Sequence, residues 1–158
     1  MGIRATSHIA IGVHDMEREL RFYRDLLGLR VAVDRDERYD DQTFDPPIER
    51  VRHAVYLRWA DGPDASFIVL DHQRTVPARG EPAELFQIGV HHVALWVDDL
   101  EPYLAGLEAA GGSIVFGPHP SGGNAYGEPE GSHVVTVGLR DPEGNVIQLD
   151  QRVVSDAA

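Results

Sequence analysis

The 158-residue sequence contains no cysteine, which excludes disulfides and thiolate metal sites and leaves the redox compartment open. It has no apolar run near the roughly 20 residues that a bilayer-spanning helix needs. It also shows no basic-then-apolar leader, so a cytoplasmic location is the expectation. Basic residues are scarce, 14 against 26 acidic ones, for a formal charge of −12. Such a surface repels phosphate backbones and anionic lipid, so neither nucleic acid nor membrane is an expected partner. What is present, 42% hydrophobic and 25% charged residues, is the composition of an ordinary globular chain. Its length suits one domain or two small modules sharing a core.

The chain repeats itself. SHIAIGVHDMERELRFYRDLLGLRV (7–31) aligns at one constant offset with HHVALWVDDLEPYLAGLEAAGGSIV (91–115), setting His8 on His92, Val13 on Val97, Asp15 on Asp99 and Leu20 on Leu104. Further on, RHAVYLRWADGPDASFIVLD (52–71) parallels SHVVTVGLRDPEGNVIQLD (132–150), with His53 on His133 and Leu70-Asp71 on Leu149-Asp150. Two degenerate copies of one unit explain this. The expected organisation is a single domain over 1–158, with module one at about 6–72, a linker at 73–89 and module two at about 90–152.

Each copy reads strand, helix, strand, strand, strand. The β-branched runs 8–13 and 92–97 predict first strands. Asp15 is the expected N-cap of a helix over 16–27 that Gly28 closes, and Asp98 or Asp99 that of a helix over 100–110 before Gly111-Gly112. Strands follow near 30–36, 51–59 and 66–72, and near 113–117, 132–140 and 145–151. The turns DG (61–62) and DPEGN (141–145) join the last pair in each copy. Segments 37–50 and 117–131 read as long loops, with SGGN (121–124) a flexible stretch.

Period-two alternation assigns the faces. Ile9, Ile11 and Val13, like Val93, Leu95 and Val97, belong to the helix side. His8, Ala10 and Gly12, like His92, Ala94 and Trp96, lie opposite. The free faces thus collect His8, His92, Gln148, Asp71, Asp150, Tyr56 and Arg58. Two imidazoles and an oxygen donor form a set that Fe, Mn, Zn or Ni accepts. Asp71 and Asp150 are the nearest carboxylates for acid–base work, and Tyr56 is a candidate proton donor or substrate-orienting group. Arg58 and Arg140 are candidates to clamp a carboxylate, and Trp96, Phe67, Thr136 and Val69 are candidate walls. The structural alternatives are solvated strand ends for the aspartates, wall packing for Tyr56 and surface ion pairing for the arginines. His91 takes the parity opposite to His92. His53 and His133 fall on the helix side as structural residues, and His14, His72 and His119 on loops or strand ends.

FYRDLLGLRV (22–31), HHVALWVDDL (91–100) and LRDPEGNVIQLDQ (139–151) resemble the vicinal oxygen chelate superfamily. That superfamily includes glyoxalase I, methylmalonyl-CoA epimerase, extradiol dioxygenases, fosfomycin-resistance enzymes and bleomycin-binding proteins. The resemblance covers nearly the whole chain and implies an α+β fold in which two βαβββ modules form an open barrel. It implies a small-molecule substrate or ligand and a homodimer. Metal ligands in that family come from the first and last strand of each module, which here are His8, Val69, His92 and Gln148. Val69 and Gln148 depart from the pattern, because glyoxalase I-like enzymes carry carboxylates at both last-strand positions. The implied function is a divalent-metal-dependent dioxygenase, isomerase or lyase with a His/His/Gln centre, distinct from lactoylglutathione lyase. The alternative is a metal-free small-molecule or antibiotic-binding protein of the bleomycin-resistance type.

Overall fold

A computed structural model describes residues 2–153, so the ends of the expected 1–158 domain lie outside the described residues. The chain divides into two compact units, Met1–Gly80 and Glu81–Ala158. Unit one runs β1 (His8–Gly12), α1 (Met16–Leu20), a π-helical continuation (Arg21–Leu26), β2 (Arg30–Asp41), β3 (Ile48–Arg58) and β4 (Phe67–Gln73). Unit two runs β5 (Val93–Val97), α2 (Glu101–Gly106), β6 (Ser113–Gly122), a 3₁₀ turn (Gly123–Tyr126), β7 (His133–Arg140) and β8 (Val146–Val153). Each unit holds a four-stranded mixed sheet, ordered β1-β4-β3-β2 and β5-β8-β7-β6. The first strand is parallel to the last, and the other pairs are antiparallel. Among the described residues no helix is long and apolar enough to cross a membrane.

The α1 segment begins as its sequence predicts: the Arg18 amide donates to Asp15 Oδ1 at 3.0 Å, an N-cap bond. Its second half widens, and the Leu27 amide donates at 2.9 Å to Phe22 O, five residues back. Two consecutive large residues in this stretch, Phe22 and Tyr23, both reach 0% exposure, as an edge-to-face pair 5.2 Å apart. Gly28, at φ 73°, then reverses the chain where a Cβ would be strained.

The helix-side face of unit one is dry. Ile68, Leu57, Leu70 and Val55 are fully buried and Ile11 nearly so, beneath Met16, Leu20, Phe22 and Tyr23. The equivalent face of unit two buries Ile147, Leu139, Leu149 and Val137, with Leu100 and Leu107. Here α2 stops at Gly106, earlier than the predicted 110, and turns carry the chain to Gly111 at φ 81°. Asp99 Oδ1 accepts the Glu101 amide at 3.0 Å, at the helix start.

The two expected loops, 37–50 and 117–131, are partly strand. β2 and β3 form a hairpin reaching Asp41 and Ile48, and β6 continues to Gly122. Alternation of charge rather than of hydrophobicity hid the hairpin. Arg52 pairs with Glu37 at 2.8 Å and Arg38 with Glu49 at 3.1 Å, while Arg50 pairs with Asp41, so cross-strand ion pairs replace apolar ones.

The register also corrects the repeat alignment. β3 sets Arg58 opposite Phe67 and Tyr56 opposite Val69, whereas β7 sets Arg140 opposite Val146 and Gly138 opposite Gln148. Arg58 is therefore the counterpart of Arg140, and His53 that of Val135 rather than of His133. The two arginines do the same work, closing the turn after their strand: Arg58 Nη1 donates to Ala65 O at 3.1 Å and Arg140 Nη1 to Gly144 O at 2.8 Å.

Candidate functional site

Paired residues in neighbouring strands share a face, so the register lays the candidate residues out in rows. In unit one the row His8–Phe67–Arg58 is followed by Ala10–Val69–Tyr56, then by Asp71–Ala54–Arg35, then by Gln73–Arg52–Glu37. The first rows form an aromatic stack. Phe67 lies between His8 at 5.3 Å and Tyr56 at 5.4 Å, with interplanar angles of 23° and 18°, and the Arg58 guanidinium sits 4.5 Å over the Phe67 ring. Arg58, expected as a carboxylate clamp, is instead held between that ring and the Ala65 carbonyl.

The later rows form an ion network. Arg52 donates to Glu37 and, at 2.6 Å, to Asp71 Oδ2, while Gln73 Nε2 reaches Asp71 Oδ1 at 2.7 Å. Arg35 donates to Glu37 Oε1 at 2.8 Å, and the Tyr56 hydroxyl donates to the same oxygen at 3.2 Å. Hydrogen bonds from Arg52 and Arg35 hold the Glu37 carboxyl below its usual range. Burial opposes the charge on Arg52, but its bonds to Glu37 and Asp71 outweigh that and raise its pKa. The candidate base Asp71 is thus committed to an arginine, and the candidate acid Tyr56 to a glutamate.

Unit two presents the rows Ala94–Gln148–Gly138–Phe116 and Trp96–Asp150–Thr136–His119. Phe116 crowds Gly138, where an added Cβ would meet its ring at 2.2 Å, and Gly138 is paired on its other side with Gln148. Thr136 and Asp150 are almost fully buried, at 4% and 3% exposure. His119, expected on a loop or strand end, lies within β6 with its ring 5.8 Å from Phe116. The glycine-rich SGGN stretch ends β6 and opens the 3₁₀ turn that delivers Tyr126.

Tyr126 is a site residue with no sequence signal, set in a run of Gly, Asn and Ala. Its hydroxyl donates to Asp150 Oδ1 at 3.0 Å, and its ring lies 5.6 Å from Trp96. Burial pushes that hydroxyl above its ordinary pKa, and the bond to Asp150 pushes the same way. The face of Trp96 is covered by the Arg152 guanidinium at 3.6 Å, and Arg152 is itself paired with Glu128 at 2.7 Å.

The two candidate ligand histidines share one local feature, a contact at Nδ1 from the residue before them. His8 Nδ1 lies 3.3 Å from Ser7 Oγ, and His92 Nδ1 lies 2.9 Å from His91 Nδ1. Ser7 and His91 are repeat counterparts, so in each copy the preceding residue engages Nδ1. The Nε2 atom of each histidine has no hydrogen-bond partner among the described residues. His91 does not point away from His92, as strand parity predicted. β5 begins only at Val93, so the doublet precedes the pleat, and the rings lie 4.6 Å apart. His53 is structural, its Nε2 2.6 Å from Asp34 Oδ1.

The donor set tests what the fold could hold. Among the described residues no three His, Asp or Glu side chains form a group that could hold a metal ion. Of the expected ligand positions, His8 and Val69 lie in unit one and His92 and Gln148 in unit two, and Val69 has no atom that could ligate. Two imidazole nitrogens and a carbonyl oxygen fit a borderline divalent ion, and both imidazoles have the Nδ1 support that ligating histidines show. The sequence holds no lysine, so lysine Schiff-base chemistry is excluded for it.

Residues 5–149 match the model of the Glyoxalase/Bleomycin resistance protein/Dioxygenase superfamily, and the chain belongs to that superfamily. It is 25% identical over 144 residues to a lactoylglutathione lyase of Haemophilus influenzae, covering 90% of this chain and 88% of that protein. Among solved structures it resembles a glyoxalase family protein of Bacillus cereus, with TM-score 0.76, 16% identity and coverage of 98% and 97% of the two chains. It also resembles a trypanothione-dependent glyoxalase I of Leishmania major, with TM-score 0.59, 19% identity and coverage of 94% and 87%. At those identities the structures establish a glyoxalase-like fold.

Proposed function

We propose that the protein is a divalent-metal-dependent enzyme of this superfamily, with His8, His92 and Gln148 as the metal ligands and a small oxygen-bearing metabolite as substrate. The carrying observation is the matched pair of histidines, each with Nδ1 engaged by the residue before it and Nε2 left for a ligand. In the His91–His92 contact one nitrogen must donate and the other accept. If Nε2 of His92 ligates, its Nδ1–H donates, and His91 is the acceptor that fixes the tautomer.

A bound divalent ion, Fe, Mn, Zn or Ni, would act as a Lewis acid on the substrate's oxygens. This chain's own part is to bind and orient. Val69 and Gln148 stand where a glyoxalase I-like enzyme uses carboxylates, and neither can abstract a proton at neutral pH. The reading therefore favours chemistry that needs no last-strand base, and it sets lactoylglutathione lyase activity aside despite the Haemophilus influenzae relative. A homodimer in the cytoplasm goes with it.

Val69 and the flat His8–Phe67–Tyr56 stack favour the second reading, a metal-free protein that binds a planar small molecule. Elemental analysis of the purified protein beside a His8→Ala/His92→Ala variant separates the two. The enzyme reading expects near-stoichiometric metal that the variant loses.

A further inference from the structure

Gln148 does not extend freely from β8. Its Nε2 lies 2.9 Å and 3.1 Å from the two oxygens of Asp150, and 3.4 Å from the Tyr126 hydroxyl. Asp150 is 3% exposed and its Oδ1 also receives the Tyr126 O–H at 3.0 Å. A carboxylate only accepts hydrogen bonds, so the end of the amide that touches it must be the NH₂ group. The carbonyl oxygen Oε1 is then the end turned away from Asp150.

We infer that Asp150, supported by Tyr126, is a positioning residue that locks the Gln148 carboxamide with its carbonyl oxygen as the outward donor. The inference rests on the metal-ligand reading given above. An unrestrained amide presents O and NH₂ about equally, and an NH₂ group cannot ligate a cation. The buried carboxylate removes that ambiguity, the outer-shell service that orients metal ligands generally. It also accounts for the departure from glutamate at this position: a carboxylate at 148 would face the buried carboxylate of Asp150, two residues along the same face.

The test uses the full chain, with Zn(II) alone as the probe, in calorimetric titrations of the parent, Asp150→Leu and Asp150→Asn. Leucine removes the acceptor, and the dissociation constant for Zn(II) should rise about 10- to 100-fold. Asparagine keeps a carbonyl acceptor for Gln148 Nε2, and its affinity should stay within about threefold of the parent, a rescue that a purely space-filling role would not produce. Equal affinity in Asp150→Leu, or equal losses in both variants, would overturn the inference.

A second readout needs no metal: solvent exchange of the Gln148 side-chain NH₂ protons in ¹⁵N-labelled protein. Exchange should be slow in the parent and Asp150→Asn and fast in Asp150→Leu. Fast exchange in the parent would overturn the lock. A parent that binds no Zn(II) but protects these protons would instead overturn the metal reading and leave the lock standing.

Discussion

Substituting Gln148→Glu restores the carboxylate that glyoxalase I-like proteins carry at this place, yet the structure predicts that it destabilises this chain. In the parent the amide donates to both oxygens of a carboxylate that is 3% exposed. Hydrogen bonds to charged groups contribute about 1.5–3 kcal/mol each, and stranding a buried charged partner adds a comparable penalty. Two carboxylates at about 3 Å then add repulsion where the amide gave attraction. A loss of about 3–5 kcal/mol follows, which for a domain of this size lowers Tm by on the order of 10 °C. Scanning calorimetry of Gln148→Glu, Asp150→Asn and the double variant at pH 7 measures it. The double variant should recover most of the loss, because the introduced asparagine can donate its own NH₂ to the introduced carboxylate and so reverse the bond. An unchanged or raised Tm in Gln148→Glu, or a double variant no better than that single one, would refute the reasoning.

Two further outcomes follow from the sheets. Glu37 has its carboxyl pKa lowered by Arg52 and Arg35, so its contribution is full above the ordinary glutamate value of about 4.3 and fades as pH falls through the lowered folded value. Glu37→Gln should cost about 1 kcal/mol in urea unfolding at pH 7, and the gap to the parent should narrow as the pH falls below the ordinary glutamate range; a gap that widens toward acid would contradict this. Gly138→Ala places a Cβ in the Phe116 ring, and overpacking of this kind costs about 1–3 kcal/mol. A thermal melt that fails to shift would mean that Phe116 moves aside freely.

Much of this fold could be read from residue order. The βαβββ repeat, the Asp15 cap and the face assignments follow from alternation and capping chemistry, and Ile11 and Val13 are buried as alternation predicts. The β2–β3 hairpin was hidden because its far end pairs by charge. Glu37 falls in an expected loop, and only the register sets it beside Arg52 and Arg35. The slip between β3 and β7 was hidden because the His-Ala-Val of 53–55 and the His-Val-Val of 133–135 look alike, and strand pairing sets His53 against Val135 instead.

At the candidate site, the repeat marked His8 and His92, and parity placed Gln148 and Asp150 on one face. Two things were out of reach. His91 precedes the strand, so its contact with His92 obeys no pleat. Tyr126 arrives through a 3₁₀ turn in a glycine-rich stretch, and its partnership with Asp150 depends on long-range register.

The central claim is that His8 and His92 serve a metal. Its most direct measurement is the metal content of the protein purified without added ions, by plasma mass spectrometry, beside the His8→Ala/His92→Ala variant with its fold checked by circular dichroism. The account predicts near one equivalent of a single divalent transition metal per chain in the parent and almost none in the folded variant. A parent free of metal that also fails to take up Fe(II), Mn(II), Zn(II) or Ni(II) on titration, or a folded variant that retains a full equivalent, would contradict it.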